Sequence, residues 1–115
     1  MSLAVVSLST AMICFAGHCH HALVGKETPT GEFPLVERFV RAPGYGASVL
    51  QFKETKDSIY AVHRVWLLKP AQHRAERLAG VDASARRDIT GGCINVEASV
   101  YEELVAAATR LRIEQ

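Results

Sequence analysis

The 115-residue sequence contains no run of like charge longer than two residues, and its 13 Lys and Arg against 12 Asp and Glu leave a formal charge of +1. Without a basic stripe or an acidic tail it carries no electrostatic footprint for nucleic acid. It also lacks an apolar run long enough to span a bilayer. The most apolar stretch, LAVVSLSTAMICFAGHC, is interrupted by Ser7, Ser9 and Thr10, and no Lys or Arg precedes it as a signal peptide would require. It reads as an uncleaved strand hairpin, with a targeting segment as the alternative. Cysteine is scarce. Cys14, Cys19 and Cys93 cannot all pair within one chain, so at least one thiol stays free, and a bridge between Cys14 and Cys19, which flank a turn, is left open. The string GHCHH offers His18, Cys19, His20 and His21 as ligands, but neighbouring strand residues point to opposite faces and the spacing fits no zinc pattern. A solvated turn is the expectation there; a metal-binding or redox module is the competitor.

What is present is the balance of a globular chain, 49% hydrophobic and 22% charged. The length suits one domain, 1–115, with a modest core. From Ala4 to Val24 alternation predicts short strands, with Gly17 supplying a turn. Gly25, Pro29, Gly31 and Pro34 mark a loop leading into a strand near Phe33 to Phe39. After the loop RAPGYGAS, the segments VLQFK and SIYAVHRVWLL read as strands joined by ETKD, and His63 shares a face with Ile59, Ala61, Val65 and Leu67. PAQHRAERLAG has the composition of a helix from Pro70 to Gly80. VEASVYEELVAAATRLR reads as the clearest helix, with Val100, Leu104, Ala107, Ala108 and Leu111 as its buried stripe and Arg110 and Arg112 at its basic end. Strands first and helices late predict an α+β, mainly β fold.

ITGGCINV sets Cys93 behind two glycines and ahead of the last helix. A thiolate is the reactive form, and backbone N–H groups or a helix N-terminus stabilise it. Gly91 and Gly92 allow a turn in which the N–H groups of Gly92 and Cys93 face one point, able to hold a thiolate or an oxyanion. A small buried cysteine after a glycine turn is the plainer alternative. A nucleophilic cysteine needs a base in hydrogen-bond reach. Of His18, His20, His21, His63 and His73, the residue in an apolar row is His63, where an imidazole is costly unless it finds polar partners. A core histidine bonded to backbone explains the same position.

Four segments together resemble a known family. TGGCINV is similar to the Ser/Thr-x-Gly-Cys-x-Asn/Arg signature of the L,D-transpeptidase (YkuD-like) catalytic domain, with Thr90, Gly92, Cys93 and Asn95 matching. VSLSTAMICFAG resembles its opening strand pair, HALVGKETPTGEFPL its next element, and IYAVHRV its histidine-bearing strand. The resemblance implies a β-sandwich body with a helical insertion and a C-terminal helix. It implies a cysteine acyltransferase that forms a thioester with a peptidoglycan tetrapeptide stem, releases D-Ala and passes the acyl group to an amine. Release to water or to a free D-amino acid, and a non-catalytic peptidoglycan-binding domain, are the alternatives.

Carried over by position, Cys93 is the nucleophile, His63 the base, and the Arg64 backbone carbonyl the group that orients the imidazole. Gly92 and Cys93 supply oxyanion N–H groups, and Thr90, Gly91 and Asn95 shape the loop and contact substrate. Gly91 stands where the family has histidine, and Arg64 where it commonly has glycine, which predicts an altered cleft wall. His63 and Cys93 lie thirty positions apart, more than is usual, so residues 70–80 and ASARRD are expected to form a lid or wall, with Arg86 and Arg87 meeting carboxylates of the stem. No cofactor or metal is expected. The implied substrates lie in the bacterial envelope or periplasm, or outside the cell after secretion.

Overall fold

The computed structural model describes residues 2–115. The N-terminal apolar stretch forms β1 (Leu3–Ser7), β2 (Met12–Phe15) and β3 (His18–His21), a meander in which alternate residues of β1 and β2 turn inward. The strand expected from Phe33 to Phe39 is two strands, β4 (Gly31–Pro34) and β5 (Val36–Phe39), because the chain changes sheets at the buried Leu35. Pro34 has no N–H to continue a ladder, which favours a break there. β6 (Ser48–Glu54) and β7 (Ile59–Arg64) form the expected hairpin. After the insertion come β8 (Ile94–Val96), α3 (Ala98–Ala107) and β9 (Arg110–Glu114).

One sheet has the order β3-β2-β1-β9-β4 and the other β5-β6-β7-β8. Val6, Ile13, Val62, Ile94, Leu104 and Leu111, all fully buried, belong to a common core between them. The result is the mainly β, two-layer architecture expected, in which each sheet hides its apolar face against other elements.

The last helix is shorter than the sequence pattern implies. It ends at Ala107, and Arg110 and Arg112, expected at its basic end, lie on β9 with Leu111 and Ile113 buried between them. β9 runs parallel to β1, pairing Ala4 with Leu111, and antiparallel to β4, pairing Phe33 with Leu111. A central slot with hydrogen-bond partners on both sides outweighs helical propensity at the end of a helix.

β7 and β8 are parallel neighbours, with Val62 opposite Ile94 and His63 opposite Asn95. A parallel pair cannot be closed by a tight turn and needs a long crossover. The residues between His63 and Cys93 supply that crossover. The crossover carries a 3₁₀ turn (Pro70–Gln72), α1 (Arg74–Ala79) and α2 (Ala83–Arg86) in place of the single helix expected from Pro70 to Gly80. His73, in the left-handed region at φ 51°, separates the first two. Because side chains alternate along a strand, Val62, Ile94 and Val96 enter the core while His63 and Asn95 face the crossover.

Among the described residues, no helix is long and apolar enough to cross a membrane. Cys14 and Cys19 sit opposite one another on β2 and β3 and form a disulfide, leaving Cys93 as the free thiol.

Candidate active site

The Cys93 loop is fixed by two threonines. The Thr90 hydroxyl donates to the Cys93 carbonyl at 2.6 Å and accepts the Gly92 N–H at 3.1 Å. The Thr28 hydroxyl donates to the Gly92 carbonyl and accepts the Gly25 N–H, both at 3.0 Å. The segment GKETPTG is therefore a clamp on the cysteine loop, reinforced where Leu23 and Asn95 exchange backbone hydrogen bonds of 2.9 and 3.0 Å. Gly92 has φ +127°, and a Cβ there would lie 2.6 Å from the Tyr60 ring, so both backbone and space demand glycine.

These contacts change two expectations. The Gly92 N–H is engaged by Thr90, so it is not free to meet an oxyanion. Asn95 has 0% exposure, so it cannot touch a substrate directly. Its Oδ1 instead accepts from the Trp66 N–H and from Arg74 Nη1, each at 3.0 Å, and so ties the crossover to β8.

His63 on β7 is almost fully buried, and its Nδ1 lies 2.7 Å from the Arg64 carbonyl. A carbonyl can only accept, so Nδ1 carries the proton and Nε2 of the neutral ring keeps its lone pair. Burial holds the imidazole below the usual histidine range; the bond to Arg64 opposes that effect, and the charge of Arg74 adds to it. Tyr45 packs edge-on against the ring at 4.8 Å between centroids. Burial pushes the Cys93 thiol up, against a backbone hydrogen bond from Ala61 and the charge of Arg74. As a thiol its Sγ can donate to the Ile59 carbonyl at 3.8 Å. Burial thus favours the neutral form of both groups.

His63, Cys93 and Tyr45 line two adjoining cavities. The larger, 320 Å³, is completed by Trp66, Lys69, Gln72, Arg74, Thr90 and Gly91. The smaller, 190 Å³, is completed by Val40, Ala42, Val49, Ile59 and Ala61. Thr90 and Gly91 thus lie in the wall of the larger cavity.

Arg86 does not. It is 2% exposed, and its guanidinium donates to the carbonyls of Thr10, Ala11 and Gly80, stapling the crossover to the β1–β2 turn. Three carbonyl acceptors satisfy a buried guanidinium without an anion, which removes it from any substrate role. Arg87 is exposed but lines a separate cavity with Lys26 and Asp88. The arginine that the crossover delivers to the cleft is Arg74, which sequence reasoning passed over as one helix residue among several. Trp66, the single tryptophan, was the available signal that the segment after β7 packs closely.

Arg64 lines neither cavity and bears on the cleft only through Tyr45. Its guanidinium pairs with Glu102, donates to the Gly46 carbonyl at 3.0 Å and lies 4.3 Å over the Tyr101 ring. It thereby holds the loop bearing Tyr45 against α3. Arg64→Ala keeps the carbonyl that orients His63 but frees that loop. We expect the variant to lose about 1–2 kcal/mol of stability, since Glu102 is exposed and only part of a charge-assisted contact survives solvent screening. Denaturant melts check this, and an unchanged midpoint would show that the contact does not hold the loop.

No protein-family model matches the chain, and no curated protein matches it. Solved structures do. L,D-transpeptidase 3 from Mycobacterium tuberculosis superposes with a TM-score of 0.68 at 12% identity, over 98% of this chain and 60% of that one. The L,D-transpeptidase from Xylanimonas cellulosilytica gives 0.59 at 14% identity, over 97% of this chain and 59% of that one. The L,D-transpeptidase from Mycobacterium smegmatis gives 0.58 at 18% identity, over 98% and 58%. The fold is that of the L,D-transpeptidases, and the chain spans about 60% of the length of these structures.

Proposed function

We propose that the chain carries the catalytic centre of a cysteine acyltransferase of the L,D-transpeptidase type. The observation that carries this reading is a free thiol sharing a cleft with a neutral histidine whose Nδ1 proton is held by a backbone carbonyl. His63 Nε2 takes the Sγ proton as sulfur attacks the carbonyl that follows the L-centre of a stem diamino acid. The Cys93 N–H, on the loop where Gly92 N–H is already engaged, meets the oxyanion. The C–N bond then breaks, His63 returns the proton to the departing D-Ala amine, and a thioester remains on Cys93. An acceptor amine attacks the thioester, gives its proton to His63, and the thiolate leaves and is reprotonated. Peptidoglycan stem peptides are thus the proposed partners. The Cys14–Cys19 disulfide supports action in an oxidising compartment such as the periplasm or the medium.

Product analysis tests the reading. With a tetrapeptide stem and an added amine, D-Ala and a new amide should appear together; D-Ala without the amide would identify an L,D-carboxypeptidase. The pH dependence follows from the two burial effects. The working form needs neutral His63, whose pKa is depressed, so kcat/KM should fall only as pH drops below the ordinary histidine value of about 6.5. Cys93 is shifted the other way, so no alkaline limb should begin until above the ordinary thiol range. An acid limb centred above pH ~7 would contradict the assignment of His63 as the base.

A further inference from the structure

The two cavities beside Cys93 differ in charge. The larger has two cations, Arg74 and Lys69, and no Asp or Glu in its wall. The smaller has no charged side chain other than what His63 can acquire, and its remaining wall is Val40, Ala42, Val49, Ile59 and Ala61 apart from Tyr45 and Cys93. The reactive pair sits where they meet.

Arg74 is half-buried in the larger cavity. Its Nε donates to Gln72 Oε1 at 2.8 Å and its Nη1 to Asn95 Oδ1 at 3.0 Å, while the guanidinium stands 5.2 Å over Trp66. Among the described residues no carboxylate lies within ion-pair distance of it. A guanidinium has five N–H donors. Two are occupied by neutral amides, so three remain for the cleft. Desolvation of a cation is usually offset by an acid, and here its cost is visible in a depressed Arg74 pKa. The amides and the indole fix the planar fork in place, which is the arrangement that recognises a carboxylate through two parallel bonds.

We propose that Arg74 is a specificity-determining residue that receives a carboxylate of the acyl donor in the larger cavity, with Lys69 at its rim, while the smaller cavity takes an uncharged flank of the same donor. The inference rests on the acyl-transfer reading for the identity of the donor. A tetrapeptide stem can present that carboxylate from two places, the terminus of the leaving D-amino acid or the side chain of the diamino acid.

Binding without turnover separates these sources. Cys93→Ala protein is titrated calorimetrically with four tetrapeptides. They end in a free carboxylate or a carboxamide, each with meso-diaminopimelate or lysine at the third position. We expect one of the two neutralisations to weaken Kd by about 10- to 100-fold, the range of a charge-assisted contact. In the Cys93→Ala, Arg74→Gln protein the same neutralisation should change Kd by less than about threefold, and Arg74→Lys should restore part of the preference. A general loss of fold or of the Asn95 contact would weaken all four peptides alike and leave the preference intact. That outcome would overturn the proposal, as would equal binding, or no binding, of all four peptides to the protein with Arg74. A clear Arg74-dependent preference in a wild-type protein that never acylates would sustain the anchor and sink the acyl-transfer reading alone.

Discussion

His63→Gln should lower the rate of Cys93 acylation by about a thousandfold, within the range that a positioned general base contributes. Glutamine is close in size and polar, so the variant should fold. It cannot accept the thiol proton. Because burial raises the Cys93 thiol, little thiolate exists near neutral pH to react without help. The residual rate of the variant should therefore climb about tenfold per pH unit up to the thiol pKa, while the wild-type rate stays level there. Single-turnover measurements from pH 6 to 10 separate the two behaviours. A variant within tenfold of wild type, with a flat profile, would make His63 a buried structural residue whose bond to Arg64 merely satisfies its ring.

Gly25→Ala should be almost as damaging although Gly25 lines no part of the cleft with Cys93. A Cβ at this position would overlap the Thr90 carbonyl and crowd the Thr90 hydroxyl. The first obstacle is backbone, which cannot swing aside as the end of a long side chain can. The Thr90 to Cys93 turn would have to move, and with it the sulfur and the Cys93 N–H. Displacing a reacting group by about 1 Å costs on the order of a hundredfold in rate, and overpacking of this kind costs about 1–3 kcal/mol of stability. Gly91→Ala is the control. A Cβ at Gly91 meets nothing within 4 Å, so that variant should keep its melting temperature. Melting curves of the two variants, side by side, and the acylation rate of Gly25→Ala test the clamp; parity between the two melting temperatures would dissolve it.

Much of this site was legible because the relevant signals are local. ITGGCINV declares a turn carrying a thiol, and an imidazole in an apolar strand must find a polar partner, which proves to be the neighbouring Arg64 carbonyl. The ends of elements were less legible where two periods coincide. Leu111 satisfies both the three-to-four spacing of a helix begun at Val100 and the alternation with Ile113 of a strand. The open lane between β1 and β4, whose facing residues Ala4 and Phe33 lie far back in the sequence, decides for the strand. The crossover was least legible, since its role depends on which of its arginines the fold turns outward. Arg86 and Arg87 stood out as an adjacent pair, yet three carbonyls bury the first and the second faces another cavity. Arg74 reaches the cleft because Asn95, on β8, holds it there.

Intact-mass measurement of the protein after incubation with a disaccharide tetrapeptide, beside a Cys93→Ala control, bears most directly on cysteine acyl transfer. The expected result is an adduct equal to the stem minus D-Ala, present on the wild type and absent from the control. Folded protein with a titratable Cys93 thiol that gains no adduct and releases no D-Ala would contradict it.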